Sequence, residues 1–115
     1  MSKMNNEDLL YLKTAFKDLL NYESESIFDE IDPLSYSLPE GDSCLHIAVS
    51  RGDIRAMKLL ISAGLDLNKK GDMGCTPLHI AYGENQNAAV DLLIQSGADE
   101  NAVDEFGRIP KNCQP

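Results

Sequence analysis

Apolar residues in this chain recur at helical spacing in several short segments, which are separated by polar stretches that contain glycine. The segments 54–63 and 88–96 each carry apolar residues three and four positions apart, so one face of each predicted helix is apolar. A similar stripe runs through Leu9, Leu12, Phe16 and Leu19 near the N-terminus. The pattern therefore predicts a series of short amphipathic helices.

The helical segments belong to a unit that repeats every 33 residues. The stretch GDSCLHIA at 41–48 returns as GCTPLHIA at 74–81 with five of eight positions identical, and Gly107 follows Gly74 at the same interval. The LLI at 59–61 falls on the LLI at 92–94, and Gly64 falls on Gly97. A period of this length is typical of stacked repeat architectures.

Each unit carries signals for two helix ends. Thr76 is suited to cap a helix whose first position is Pro77, where the missing N–H is tolerated. Ser43 is the equivalent cap in the first unit. Gly52 and Asn85 occupy equivalent positions, and both residue types readily close a helix in the left-handed conformation. We therefore expect helix pairs at 43–64 and 76–97.

The chain resembles the ankyrin-repeat proteins, whose T-P-L-H-x-A signature is complete at 76–81 and weaker at 43–48. The resemblance extends from Gly41 to about residue 112. It implies an all-α fold, a solenoid of stacked helix-turn-helix units that are joined by hairpin-like loops. The residues assigned to the structural repeat motif are Ser43, Leu45, His46, Ala48, Thr76, Pro77, Leu78, His79 and Ala81.

We expect a single folded domain made of a divergent N-terminal helical cap and the repeats. The cap comprises 1–40, with a second short helix near 25–31. The repeats comprise 41–115, divided into 41–73, 74–106 and a partial unit at 107–115. Because the last unit lacks its second helix, Leu93 and Ile94 should lose part of their cover and form an exposed end with Ile109.

The net charge of −9 is unevenly distributed along the chain. Residues 1–40 contribute −6 and residues 41–115 contribute −3, and eight acids but no Lys or Arg lie between Asp18 and Asp42. Such a surface repels nucleic-acid phosphates, so we expect no nucleic-acid partner. It would attract a basic protein, although solubility alone also explains an acidic surface.

Other features predict a cytoplasmic protein. No run of 18 apolar residues exists, so no membrane span is expected. The start MSKMNNEDLLYL lacks an apolar signal core, so we expect no export by that route. Three cysteines without close spacing favour reduced thiols over a disulfide framework.

The sequence contains no recognisable catalytic set, so we expect neither an enzyme nor a cofactor. The only candidate metal ligands with suitable chemistry are His46 and His79 with Cys44 and Cys75. The histidines are equivalent in the repeat, but the cysteines are not, so we expect no metal. By its resemblance to ankyrin repeats, the histidine of each unit should instead hydrogen-bond to the neighbouring turn.

The resemblance implies binding of a partner protein on a concave surface made by inner helices and hairpin tips. Inner-helix positions expected to be exposed are Arg51, Asp53, Tyr82, Glu84 and Gln86. Hairpin-tip positions expected to be exposed are Lys69, Lys70, Asp72, Met73, Val103, Glu105 and Phe106. We expect a chain that is a monomer when free and that masks or scaffolds its partner.

Two versions of this function are open, with a metal protein or enzyme as a remote third alternative. In the first, the chain is a bacterial immunity protein that neutralises a basic toxin domain. In the second, it is a regulatory subunit or assembly factor that docks through the exposed C-terminal end of the stack.

Overall fold

The computed structural model describes residues 6–16 and 41–114. Within these ranges the chain forms the following α-helices: α1 Asn6–Ala15, α2 Cys44–Arg51, α3 Ile54–Ser62, α4 Pro77–Gly83 and α5 Asn87–Gln95. Two short 3₁₀ helices span Asp72–Gly74 and Pro110–Cys113. The all-helical prediction is confirmed. The predicted helix at 25–31 lies outside the described residues, as does most of the acidic run.

The helices are stacked in the order that the repeat predicts. Helix α2 packs against α3 and α4 packs against α5, which gives one helix pair in each unit. Between units, α2 lies against α4 and α3 lies against α5. Helix α1 packs on α3 at one end of the stack, and the 3₁₀ helix Pro110–Cys113 packs on α4 at the other.

The ends of the inner helices α2 and α4 follow the local sequence signals. Ser43 and Thr76 each form a capping box with the histidine three residues later. In such a box two backbone N–H groups that the helix leaves unpaired find partners. Gly52 and Asn85 are both left-handed, with φ of 69° and 56°. The outer helices begin and end within one residue of the predicted 54–63 and 88–96.

The core is built from the apolar stripes of the helices. Leu45 of α2 and Leu78 of α4 are fully buried at equivalent positions, and Met57 and Leu60 of α3 are fully buried beside them. Burial of each such side chain contributes roughly 1.5–3 kcal/mol. The identical faces that the repeat specifies are therefore the faces that hold neighbouring units together.

One expectation about the core is wrong. Leu93 was expected at an exposed end of the stack, but it is fully buried. Helix α5 packs back on α3 and α4, and Leu93 lies in that layer rather than on the outer side. Ile94 and Ile109 are half-buried. The outward positions Ala88, Asp91 and Gln95 of α5 are exposed instead.

None of the helices within 6–16 and 41–114 is long and apolar enough to cross a membrane.

Candidate functional site

His46 ties the first repeat to the second. The Ser43 backbone N–H can only donate, so His46 Nδ1 accepts from it at 3.0 Å. The ring proton is therefore on Nε2, which donates to the Cys75 carbonyl oxygen at 2.9 Å. Burial lowers the pKa of His46, and the Cys75 carbonyl and the Asp42 carboxylate oppose this effect more weakly. The neutral ring is thus the form that fits the site.

His79 repeats this arrangement between the second repeat and the C-terminal turn. Its Nδ1 accepts from the Thr76 backbone N–H at 3.1 Å, and its Nε2 donates to the Arg108 carbonyl oxygen at 2.8 Å. Both histidines are buried. The resemblance implied this role, and the structure places both rings in it.

Asp104 organises the turn that His79 contacts. Its side chain is fully buried, and its Oδ1 accepts from the backbone N–H groups of Phe106 at 2.8 Å and Arg108 at 2.9 Å. Its Oδ2 accepts from Arg108 Nε at 2.8 Å. Burial disfavours the charged carboxylate, but these hydrogen bonds outweigh it and lower the pKa of Asp104. Asp104 was not among the residues chosen from the sequence.

His79, Asp104 and Cys113 form the one cluster within the described ranges whose ligand atoms all lie close enough to share a metal ion, within 4.8 Å of one another. His79 and Asp104 already use their ligand atoms in hydrogen bonds. His79 Nδ1 accepts a backbone N–H and Nε2 carries the proton, and both carboxylate oxygens of Asp104 accept N–H groups. A metal at Nε2 would need the other tautomer and would break the cap at Thr76. The cluster is therefore better suited to holding the turn than to holding a metal.

The same three side chains do not form an activated nucleophile. Burial raises the pKa of the Cys113 thiol, and it also raises that of Cys75 nearby. A nucleophilic cysteine needs a lowered pKa and a histidine nitrogen free to take its proton. Both ring nitrogens of His79 are bonded to backbone groups instead.

Two of the expected binding residues on the inner helices hold α1 instead. Asp53 is half-buried; its Oδ1 caps α3 through the Ala56 N–H at 3.0 Å and accepts from the Tyr11 hydroxyl at 2.8 Å. Arg51 donates to the Ala15 carbonyl at 2.8 Å. The expectation that Asp53 is exposed is wrong, because it did not take account of where α1 docks.

Two further expected residues tie neighbouring turns together. Ser50 Oγ donates to both carboxylate oxygens of Glu84, at 2.9 and 3.1 Å. Gln86 Nε2 donates to the Ser50 carbonyl at 3.1 Å, and Gln86 is half-buried. Tyr82 is also half-buried and packs against the core. The expectation that Tyr82 and Gln86 are exposed is therefore wrong, whereas Arg51 and Glu84 are exposed as expected.

The hairpin tips are different, because their side chains extend into solvent. We call Lys70, Asp72, Met73, Val103, Glu105 and Phe106 the tip surface; all six are exposed. Three of its members are apolar, with exposed fractions of 53% for Met73, 43% for Val103 and 64% for Phe106. Apart from Leu10, they are the only exposed large apolar residues among positions 6–8, 10–16 and 41–114. Lys69 is half-buried beside this surface.

The two tips contact each other through the backbone. The Glu105 N–H donates to the Met73 carbonyl oxygen at 3.0 Å. A β-carbon on Gly74 would lie 2.9 Å from the Glu105 nitrogen, so this approach requires glycine. The two tips that carry these exposed apolar side chains are thus in direct backbone contact.

A scan against protein-family models matches residues 10–104 to the family described as ankyrin repeats, three copies. The chain belongs to the ankyrin-repeat family. The match begins inside α1, in the segment that lacks the T-P-L-H signature. No curated protein matches the sequence. Ankyrin repeats are generally non-catalytic and generally bind partner proteins.

Sequence reasoning missed the residues that hold the ends of this ankyrin stack. Tyr11 and Arg55 clamp α1, with the Arg55 guanidinium 4.2 Å from the centre of the Tyr11 ring. Nothing in their local sequence marks them. Asp104 did carry a signal, because it stands three residues before Gly107 at the start of a turn that needs a carboxylate acceptor.

Proposed function

We propose that this ankyrin-repeat chain is a non-catalytic binding module that masks or scaffolds one partner protein through its tip surface. The observation that carries the proposal is the concentration of exposed apolar residues at the tips, Met73, Val103 and Phe106. Exposed apolar groups that are rimmed by charged residues are typical of protein contacts. Lys70, Asp72 and Glu105 supply such a rim.

The charge of the chain supports a basic partner. The net charge is −9, and the acids are concentrated in residues 18–42. An acidic surface speeds association with a basic protein and slows association with an acidic one. We further propose that the chain acts in the cytoplasm as an immunity protein, which neutralises a basic toxin domain by covering its functional site.

The alternative of a regulatory subunit that docks through the C-terminal end has less support. Leu93 is buried, and the outward residues of α5 are small or polar. Among the described residues, the tip surface is therefore the better candidate for contact with a partner.

The proposal is tested by site-specific photo-crosslinking in the native host. The crosslinking amino acid p-benzoylphenylalanine is placed at position 106 in the tip surface or, as a matched control, at the exposed position 91 on α5. We expect one major adduct from position 106 that is absent from position 91, and mass spectrometry should identify a basic protein. Adducts from position 91 alone would contradict the proposed surface.

The immunity role has its own test. The crosslinked protein is expressed without and with this chain, and growth of the host and the activity of the purified protein are measured. We expect the protein to be toxic alone and inactive in the complex. A partner that is harmless alone would reject the immunity role and leave a scaffolding role.

A further inference from the structure

The tips of the two repeats share one backbone frame. The 33-residue offset aligns them position by position: Gly71 with Asp104, Asp72 with Glu105, Met73 with Phe106 and Gly74 with Gly107. In both turns the N–H of the last residue donates to the carbonyl of the first at 3.0 Å. The turns differ in that only one of them begins with a carboxylate.

In the second turn that carboxylate fixes the backbone. Asp104 Oδ1 accepts the Phe106 N–H at 2.8 Å, two residues along the chain. Phe106 is not among the residues with a positive φ. An aspartate that accepts an N–H two residues ahead is a common way to stabilise a turn. This turn therefore has its carboxylate within its own sequence.

In the first turn the carboxylate comes from the start of the same unit. Asp42 Oδ1 accepts the Asp72 N–H at 2.9 Å, across 30 positions of sequence. A β-carbon on Gly71 would overlap the Asp42 carboxylate, so Asp42 occupies the space that a side chain at position 71 would need. Gly41 also approaches closely, since a β-carbon there would lie 3.4 Å from the Gly71 Cα.

The two turns differ in backbone conformation at Met73 and at the equivalent Phe106, since only Met73 has a positive φ. Asp42 bonds the N–H of Asp72, whereas Asp104 bonds the N–H of the residue equivalent to Met73. Met73 is left-handed, with φ of 57° and ψ of 21°. Long side chains seldom adopt this conformation, and such strain is concentrated at functional positions. In the described part of the chain the other non-glycine residue with a positive φ is Asn85, which is of a type that tolerates this conformation.

We propose that Asp42 is a positioning residue of the tip surface. By taking the place of a side chain at Gly71, it holds the turn in the form in which Met73 is left-handed, and so sets the direction in which Met73 meets a partner. That last consequence rests on the proposed function. The control of the Met73 backbone by Asp42 does not, and it is testable in the full chain alone.

The first experiment compares Asp42→Ala with Asp66→Ala by nuclear magnetic resonance. Asp66 is the matched control, because it is an exposed aspartate that accepts a local N–H, from Asn68 at 2.9 Å. We expect Asp42→Ala to move the Met73 Cα and Cβ chemical shifts out of the left-handed range. Exchange of the Glu105 amide, which bonds to Met73, should accelerate about ten-fold as that bond opens. Asp66→Ala should change neither.

The second experiment returns the carboxylate to its own turn. Gly71→Asp alone should lower the melting temperature, because two carboxylates compete for one space. Combined with Asp42→Ala, it should recover most of that loss, and Met73 should show the chemical shifts of a residue with negative φ. Strong non-additivity of this kind is expected only when two residues share one site.

Left-handed Met73 shifts that persist in Asp42→Ala would overturn the inference, as would additive effects of the two substitutions. If Gly71→Asp alone does not fold, the Met73 chemical shifts in Asp42→Ala and in the double variant still test the inference. A partner that does not touch the tip surface would reject the proposed function, but would leave these measurements on the free chain unchanged.

Discussion

Asp104 and Arg108 form an ion pair of 2.8 Å at the C-terminal end of the described ankyrin stack. The Asp104 side chain is fully buried, and that of Arg108 is about half exposed and also lies over the Phe106 ring, 5.1 Å from its centre. The carbonyl of Arg108 accepts from His79. This turn is thus tied to the second repeat through His79.

Replacing Asp104 by alanine should loosen this end of the stack. Asp104→Ala leaves the N–H groups of Phe106 and Arg108 without their acceptor, and we expect the melting temperature to fall by roughly 5–10 °C. The neighbouring Glu105→Ala is the control, since Glu105 is exposed and should change it by less than about 2 °C. Equal effects of the two substitutions would show that the buried carboxylate does not hold the turn.

Removal of the His79 ring should destabilise the fold directly. His79→Ala leaves the Thr76 N–H and the Arg108 carbonyl without their partner. We therefore expect the free energy of unfolding, measured in urea, to fall by about 2–4 kcal/mol. Gln95 is exposed, so the control Gln95→Ala should lower the free energy of unfolding by less than about 0.5 kcal/mol. A stable His79→Ala chain would indicate that the repeats are held by apolar packing alone.

Stability should depend on pH through His46. Its pKa is lowered in the folded state, so the unfolded chain binds a proton more readily than the folded chain. Above the ordinary histidine pKa of about 6.5, the His46 side chain is neutral in both the folded and the unfolded chain, and no stability is lost. Below that, stability should fall by at most about 1.4 kcal/mol per pH unit from this residue.

The pH effect is measured as the urea midpoint between pH 8 and pH 5. Asp104 does not contribute to the change between pH 8 and pH 5. Because its pKa is lowered in the folded state, the stability that it contributes is lost only as the pH falls below the pKa of an ordinary aspartate. His46→Gln should remove the part of the slope that begins near pH 6.5. A slope unchanged in His46→Gln would mean that another group causes it.

Helix α1 should contribute to the stability of the whole stack. Leu12 is fully buried, so Leu12→Ala should cost about 2–5 kcal/mol of the free energy of unfolding. Leu10 lies on the same helix and is 65% exposed, so Leu10→Ala is the matched control and should cost less than about 0.5 kcal/mol. A cooperative transition that is insensitive to Leu12→Ala would make α1 an appendage.

The sequence predicted best what depends on a few neighbouring residues. The caps at Ser43 and Thr76, and the left-handed positions at Gly52 and Asn85, are local features that repeat in register. Their identical spacing also specified which face of each helix is buried. The helices of both units therefore lie where the sequence indicates.

Long-range contacts could not be predicted in the same way. Asp53 is bonded to α1, because the Tyr11 hydroxyl, 42 positions earlier, donates to it. Helix α1 carries no repeat signature that would predict this contact. Asp42 fills the space beside Gly71 only because the fold brings the start of the first unit against its end. For the same reason position in the repeat predicted exposure at the tips better than on the inner helices, whose polar side chains found partners within the chain.

Isothermal titration calorimetry of the crosslinked partner with Phe106→Ala, compared with Asp91→Ala, tests most directly whether the tips bind the partner. Phe106 is the most exposed apolar residue of the tip surface, and Asp91 is exposed on α5, away from the tips. We predict that Phe106→Ala weakens binding by about ten-fold or more, as for an aromatic contact residue, whereas Asp91→Ala changes it by less than about two-fold. Unchanged affinity of Phe106→Ala, together with a large loss in Asp91→Ala, would contradict the assignment of partner binding to the tips.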